Sequence, residues 1–168
     1  IDHDRHLRRI TLSIPKTIPA LIARVRPQGV KHCRSPSIYT PFVYGSKAPQ
    51  LTQPDTSPPA SALEVKDLQI SVGTLLYYAR AVETRLLGAV NELSSLQSNA
   101  TTLTIKKLDR MLGWADAHPH GTCVIHASDM YLKIQSDASF NSRPGSKSVA
   151  GGYHYLGNYD DPNFFNAI

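Results

Sequence analysis

MYLKIQSDASFNSRPGSKSVAGGYHYLG, residues 130–157, decides how the chain's C-terminal part folds. Met130, Leu132 and Ile134 alternate with Tyr131, Lys133 and Gln135, the period of two that a half-buried strand requires. Asn, Ser, Pro and Gly crowd residues 141–148, which reads as a turn, and that turn carries Arg143 and Lys147. Strand character resumes over residues 149–156, where the adjacent Gly151 and Gly152 mark a bulge or a close backbone approach. The stretch is two strands joined by a basic turn, with one carboxylate, Asp137, near the end of the first.

A carboxylate held on a strand and followed by a cationic turn suits a metal-dependent nuclease. Mg²⁺ is a hard cation that prefers oxygen ligands and takes only one or two carboxylates from a protein. The plainer alternative is that Asp137 opens the turn, as Asp often does.

Upstream the period changes to that of helices. Residues 61–80 carry Leu63, Leu68, Ile70, Val72, Leu75 and Leu76 as an apolar stripe. Gly73 interrupts it at a helix cost of about 1 kcal/mol, which close helix packing would justify. Residues 83–97 form a second helix on Leu86, Leu87, Val90, Leu93 and Leu96. A third, capped by Thr102 or Thr104, runs to about residue 117 on Ile105, Leu108, Met111, Leu112 and Trp114, and stops at His118-Pro119. Three such helices with short connections predict a small bundle whose stripes are core, able to fold without what precedes residue 61. In Tyr77-Tyr78-Ala79-Arg80, stacking on nucleic acid competes with packing of at least one tyrosine inside.

Before the bundle, residues 8–14 read as a strand ended by Pro15. Residues 17–25 read as a helix on Ile18, Leu21, Ile22 and Val25, with Pro19 in its first turn and Pro27 and Gly29 as the stop. Prolines at 27, 36, 41, 49, 54, 58 and 59 then exclude a persistent regular element, so this part is an extended linker anchored by Tyr39, Phe42 and Tyr44.

Charge is uneven. Residues 1–50 hold nine Lys or Arg against two acidic residues, a balance of +7; the remainder hold nine against eleven, or −2, giving the net +5. A basic third points to a polyanionic partner, with Arg5, Arg8 and Arg9 as its leading contacts; the competing reading is a solvated arm. Two distant cysteines, Cys33 and Cys123, exclude a disulfide scaffold and suit a reducing compartment. His118, His120 and His126 surround Cys123, but HPHGTCVIH lacks the paired spacing of structural zinc and reads as a histidine-bearing loop. No apolar run approaches the ~20 residues that span a bilayer, and no secretory signal is visible. The chain is expected in the cytoplasm or nucleus.

SDASFNSRPGSKSVAGGYHYLG resembles the opening of the ribonuclease H domain in copia-type LTR retrotransposon polyproteins. There an S-D-A-x block precedes a basic turn and a strand ending in Leu-Gly. VGTLLYYAR, residues 72–80, resembles the G-[ST]-L-L-Y block that lies between polymerase and nuclease in that family. LSIPKTIPALIARV, residues 12–25, resembles the strand and helix following the polymerase palm. The three blocks keep the family's order and cover roughly residues 10–168, with residues 30–60 matching only loosely.

The resemblance implies a parent that copies RNA into DNA and degrades the RNA of the hybrid, using several carboxylates and two Mg²⁺ ions. Asp137 matches the first metal-binding aspartate, both metal ligand and catalytic residue in the family. Arg143 and Lys147 match the basic turn beside the phosphate backbone. The polymerase's paired aspartates are expected before Ile1 and the nuclease's glutamate after Ile168, so Mg²⁺ belongs to the complete parent and the chain alone is expected to be inactive.

The expected fold is α+β: a basic strand–helix segment (residues 1–29), a Pro-rich linker (30–60), a helical connection (61–122), and a hairpin that begins a ribonuclease H-like sheet (123–168). Three functions from different classes follow. The chain is part of an active retroelement enzyme that contacts RNA–DNA hybrid, a remnant reused as a structural or interaction subunit among other protein subunits, or a free-standing nucleic-acid-binding module.

Overall fold

The computed structural model describes residues 1–38, 55–143, 147–160 and 166–167, with backbone only at 141–143, 147 and 166–167. Strands β1 (Asp2–Asp4) and β2 (Arg9–Ser13) precede helices α1 (Thr17–Val25), α2 (Ala62–Ala81), α3 (Leu87–Leu96) and α4 (Thr102–Ala117). Strands β3 (Thr122–His126), β4 (Tyr131–Arg143), β5 (Lys147–Gly157) and β6 (Asn166–Ala167) follow, so the architecture is α+β. The described chain divides into two compact units. One is helical (residues 12–38 and 55–123) and the other is built on strands (residues 1–11 and from 124 onward).

In the helical unit the apolar spacing does what it predicts. Leu68, Leu75 and Tyr78 from α2, Val90 and Leu93 from α3, and Leu108, Met111 and Leu112 from α4 are almost wholly buried in one core. That core is larger than the three-helix bundle expected from residue 61, because α1 is a fourth member: its Ile18, Leu21, Ile22 and Val25 are all buried in the same cluster. The proline-rich stretch also gives up its ends. Val30, Cys33 and Ala60 pack against the core, and Pro59 pairs with Thr101. Tyr39, Phe42 and Tyr44 lie outside the described residues.

Caps fix the helix starts. Ser61 accepts from the Glu64 amide while the Glu64 carboxylate accepts from the Ser61 amide, a reciprocal box that supplies two of the orphan N–H groups with acceptors. Thr101, rather than Thr102 or Thr104, caps α4, exchanging the same pair of bonds with Thr104. The helix expected over residues 83–97 begins and ends in 3₁₀ turns, Thr84–Leu86 and Gln97–Asn99. Its first turn is tightened by Glu83, a buried residue whose carboxylate accepts from Arg85 Nε and Nη2, both at 2.7 Å. That bond holds the Arg85 guanidinium above its ordinary pKa. Arg85 also lies 5.1 Å from the Trp114 ring centre, a cation–π distance.

Gly73 does not serve close packing, since a Cβ there would meet nothing within 4 Å. Gly113 does. A Cβ there would stand 2.0 Å from the Lys31 carbonyl oxygen, so the backbone of residues 31–33 rests directly on α4 at this glycine. Cys33 N donates to Gly113 O at 3.4 Å across the same contact.

The described strands form two three-stranded sheets, ordered β1-β2-β3 and β4-β5-β6. Residues 122–126, expected as loop, form β3, with its end held where Ala127 N donates to Arg8 O. In the β4–β5 hairpin Leu132 faces Leu156, Lys133 faces Tyr155, Gln135 faces Tyr153, and Asp137 faces Gly151. The expected turn is shorter than residues 141–148, because β4 runs to Arg143 and β5 starts at Lys147. The register shift falls between Ser139 and Arg143 and not at Gly151-Gly152. Met130 takes a left-handed φ of 61° ahead of the strand.

Burial on this hairpin inverts the expectation. Leu132 and Ile134 are 59% and 57% exposed, whereas Tyr155, on the opposite face, is buried. The physical reason is a missing layer: among the described residues nothing covers the Leu132–Ile134 face.

Candidate functional site

The register builds a shallow trough around Asp137. Residues directly opposite in an antiparallel pair share a face, so Gln135–Tyr153 and Ser139–Val149 form its two walls. Between them stand Asp137 and Gly151, one side chain and one bare backbone. A Cβ at Gly151 would meet nothing within 4 Å, and its φ is not left-handed. Neither backbone conformation nor packing therefore asks for glycine there; what glycine does is leave the space beside the carboxylate open. Asp137 is exposed in the interior of β4 and accepts from the Ala138 amide at 2.8 Å. It does not open the turn.

A two-ion site needs further carboxylates, and those described are elsewhere. Asp129 accepts from the Tyr159 amide at 3.3 Å, at the far end of the hairpin. A strand rise near 3.3 Å per residue puts Tyr131 alone about 20 Å from Asp137. Asp160 lies beyond the end of β5, and Asp161 is outside the described residues. Among the described residues no three His, Cys, Asp or Glu side chains converge. One exposed carboxylate does not fit the two Mg²⁺ ions that the family resemblance implies. Cys123 and the histidines around it form no such group either. His118 instead stacks on Trp114, with ring centres 4.4 Å apart, and Cys123 and His126 point to opposite faces of β3 by strand alternation.

Arg5, Arg8 and Arg9 belong to the tip of the β1–β2 hairpin and not to a free arm. Asp4 accepts from the Leu7 amide at 2.9 Å and closes the turn, and Arg8 sits there with a left-handed φ of 48°. Arg9 lies 3.8 Å from the Asp4 carboxylate, so part of its charge is already matched. Arg5 and Arg8 have no ion pair among the described residues. Arg143 and Lys147 face each other in register as backbone, and their side chains lie outside what is described. Of Tyr77 and Tyr78, the second is buried, with its hydroxyl donating to Pro119 O and accepting from Gly121 N, and the first is 65% exposed.

A further cationic cluster lies in the helical unit, where no single stretch of sequence announces it. Arg26, at the end of α1, donates to Asp67 of α2 at 3.1 Å and to Asp109 of α4 at 2.8 Å. Beside it residues 31–35 are tied to α4: His32 Nε2 lies 3.0 Å from Asp116, and Arg110 Nη2 donates to Ser35 Oγ at 3.0 Å. The signal available in the sequence was Lys106, Asp109 and Arg110 at helical spacing; the stretch that faces them is some 75 residues away.

No helix of the described chain is long and apolar enough to cross a membrane. No family model matches the chain, and neither a curated protein nor a solved structure matches it significantly.

Proposed function

We propose that this chain is the stretch of a retroelement reverse transcriptase that links polymerase to ribonuclease H. In this reading it contacts RNA–DNA hybrid and supplies one carboxylate, Asp137, to a hydrolytic site completed by residues not brought together here. The observation that carries the reading is the Asp137–Gly151 pair, an open carboxylate on a rigid strand with bare backbone across from it. The exposed cations of the β1–β2 hairpin, on the same compact unit, supply attraction to phosphate.

The test is a salt titration of binding to an RNA–DNA hybrid. Phosphate neutralisation releases counterions, and Arg9 is partly matched by Asp4. Changing Arg5, Arg8 and Arg9 to Glu should therefore weaken binding to every sequence and flatten the log–log salt slope by about two. With Mg²⁺ added the chain alone should not cleave the hybrid. Cleavage that vanishes in Asp137→Asn would mean the chain assembles a complete site. Binding unchanged in the arginine variant refutes a hybrid contact through the β1–β2 hairpin.

A second reading rests on a different observation. Leu132 and Ile134 stand uncovered on one face of the hairpin, which suits a retroelement-derived subunit whose role is to dock in a larger nucleoprotein assembly. Unchanged hybrid binding in the arginine variant favours it.

A further inference from the structure

Three positive side chains in the helical unit share a pocket and lack a counter-charge. The floor is α4, which presents Lys106, Asp109 and Arg110 at the i, i+3 and i+4 positions of one face. Lys31 and Cys33 form the wall that rests on it, and Arg26 is also in the lining. Asp109 is the acid in the lining, and its carboxylate is already engaged by Arg26, which Asp67 also holds. Lys31, Lys106 and Arg110 have no ion pair among the described residues. Arg110 reaches a neutral hydroxyl through Nη2, while its Nε is buried with no acceptor. A buried donor without a partner is costly, and gathering three like charges adds repulsion. The wall cannot relax away freely, because Cys33 is bonded to Gly113, His32 to Asp116 and Ser35 to Arg110.

We propose that this pocket binds a phosphate group. The Arg110 guanidinium, held only by a neutral hydroxyl, keeps its charge unmatched, and two lysines add charge beside it, which suits a dianion better than a carboxylate. The wall fixed on α4 pre-organises the donors and lowers the cost of binding. The ligand is either a free phosphate compound or a backbone phosphate of nucleic acid. The inference goes beyond the function proposed above, since it uses neither Asp137 nor the β1–β2 hairpin.

Inorganic phosphate, exchanged for chloride at constant ionic strength, is the probe, read by amide shifts in the full chain. Saturable shifts are expected around Lys31, Cys33, Lys106 and Arg110. Lys31→Glu with Lys106→Glu should raise Kd by about tenfold, equivalent to about 1.4 kcal/mol. Lys66→Glu is the control, a charge reversal at an exposed position of α2 outside the pocket, and it should leave Kd unchanged. No saturable shift, or equal weakening by Lys66→Glu, overturns the site. Titration with RNA–DNA hybrid separates the sources. Hybrid that moves the same amides and is displaced by phosphate identifies a backbone phosphate, and a response to phosphate alone identifies a free phosphate ligand; either supports the pocket. Saturable phosphate binding with hybrid binding unchanged in the Arg5, Arg8 and Arg9 variant supports the pocket and sinks only the hairpin contact, and weakened hybrid binding in that variant with no saturable phosphate shift sinks only the pocket.

Discussion

Two glycines on two helices should respond to alanine with opposite signs. Glycine in a helix interior costs about 1 kcal/mol relative to alanine. At Gly73 nothing stands within 4 Å of the added methyl, so Gly73→Ala should keep that gain in full. In a unit of roughly 100 residues, the size of the helical one, 1 kcal/mol corresponds to about 4–8 °C in Tm. At Gly113 the same methyl would meet the Lys31 carbonyl oxygen at 2.0 Å and its carbon at 3.1 Å. Both are backbone atoms, so no rotamer change relieves the clash and residues 31–33 must lift from α4. Overpacking costs about 1–3 kcal/mol, and loss of the Cys33–Gly113 bond adds about 1 kcal/mol. Set against the helix gain, Gly113→Ala should lose about 1–3 kcal/mol. The assay is thermal and urea unfolding followed by Trp114 fluorescence. Trp114 is the sole tryptophan and is buried in the helical unit, so the signal reports that unit alone. A Gly113→Ala chain as stable as Gly73→Ala would refute the claimed contact between residues 31–33 and α4.

A chain beginning at Ser61 should lose its cooperative helical transition in far-UV circular dichroism. It lacks Ile18, Leu21, Ile22 and Val25, and at about 1.5–3 kcal/mol each their burial rivals the whole stability of a domain. Acid should detach the segment before α2 ahead of the bundle. The Thr101 hydroxyl, and then the Ser57 amide, hold the Asp55 carboxyl below its ordinary value of 3.8. The stability from that tie is complete above 3.8 and is lost as pH falls through the lower folded value. Faster amide exchange at Ala60 and Thr102, which bond Ala100 O and Pro58 O, should report it, and Asp55→Asn should remove the pH dependence.

The helices were legible where local spacing and punctuation agreed. α1 takes the bounds its apolar stripe and Pro27-Gly29 give it, and α4 buries each of the five apolar residues expected of it. Thr101 with Thr104 is a weak capping signal, which is why the start of α4 reads one residue late or more. What could not be read was partnership. Nothing local in residues 27–60 says that Val30, Cys33 and Ala60 join a core, or that α1 completes it, because those contacts are set by residues far along the chain. β1 is three polar residues and β3 only five residues long, and both exist through pairing. Asp137 was legible as a strand carboxylate, but its setting opposite Gly151 depends on the register shift between Ser139 and Arg143, without which the Arg143–Lys147 pairing would carry it to Tyr153. The alternation in Met130, Leu132 and Ile134 reports a face that a partner layer would cover, and it cannot report whether that layer is present.

The uncovered face has a consequence for handling the protein. Among the described residues β4 is an edge strand thirteen residues long, with Leu132, Ile134 and Phe140 exposed along it. Such an edge is a template for adding further strands, and amyloid-like growth is its usual hazard. Two charges oppose the commonest route. In parallel, in-register stacking, Lys133 would lie over Lys133 and Asp137 over Asp137 at about 4.8 Å, along the whole fibril. Salt screens that repulsion, so concentrated stocks of this chain should keep better at low ionic strength than at high.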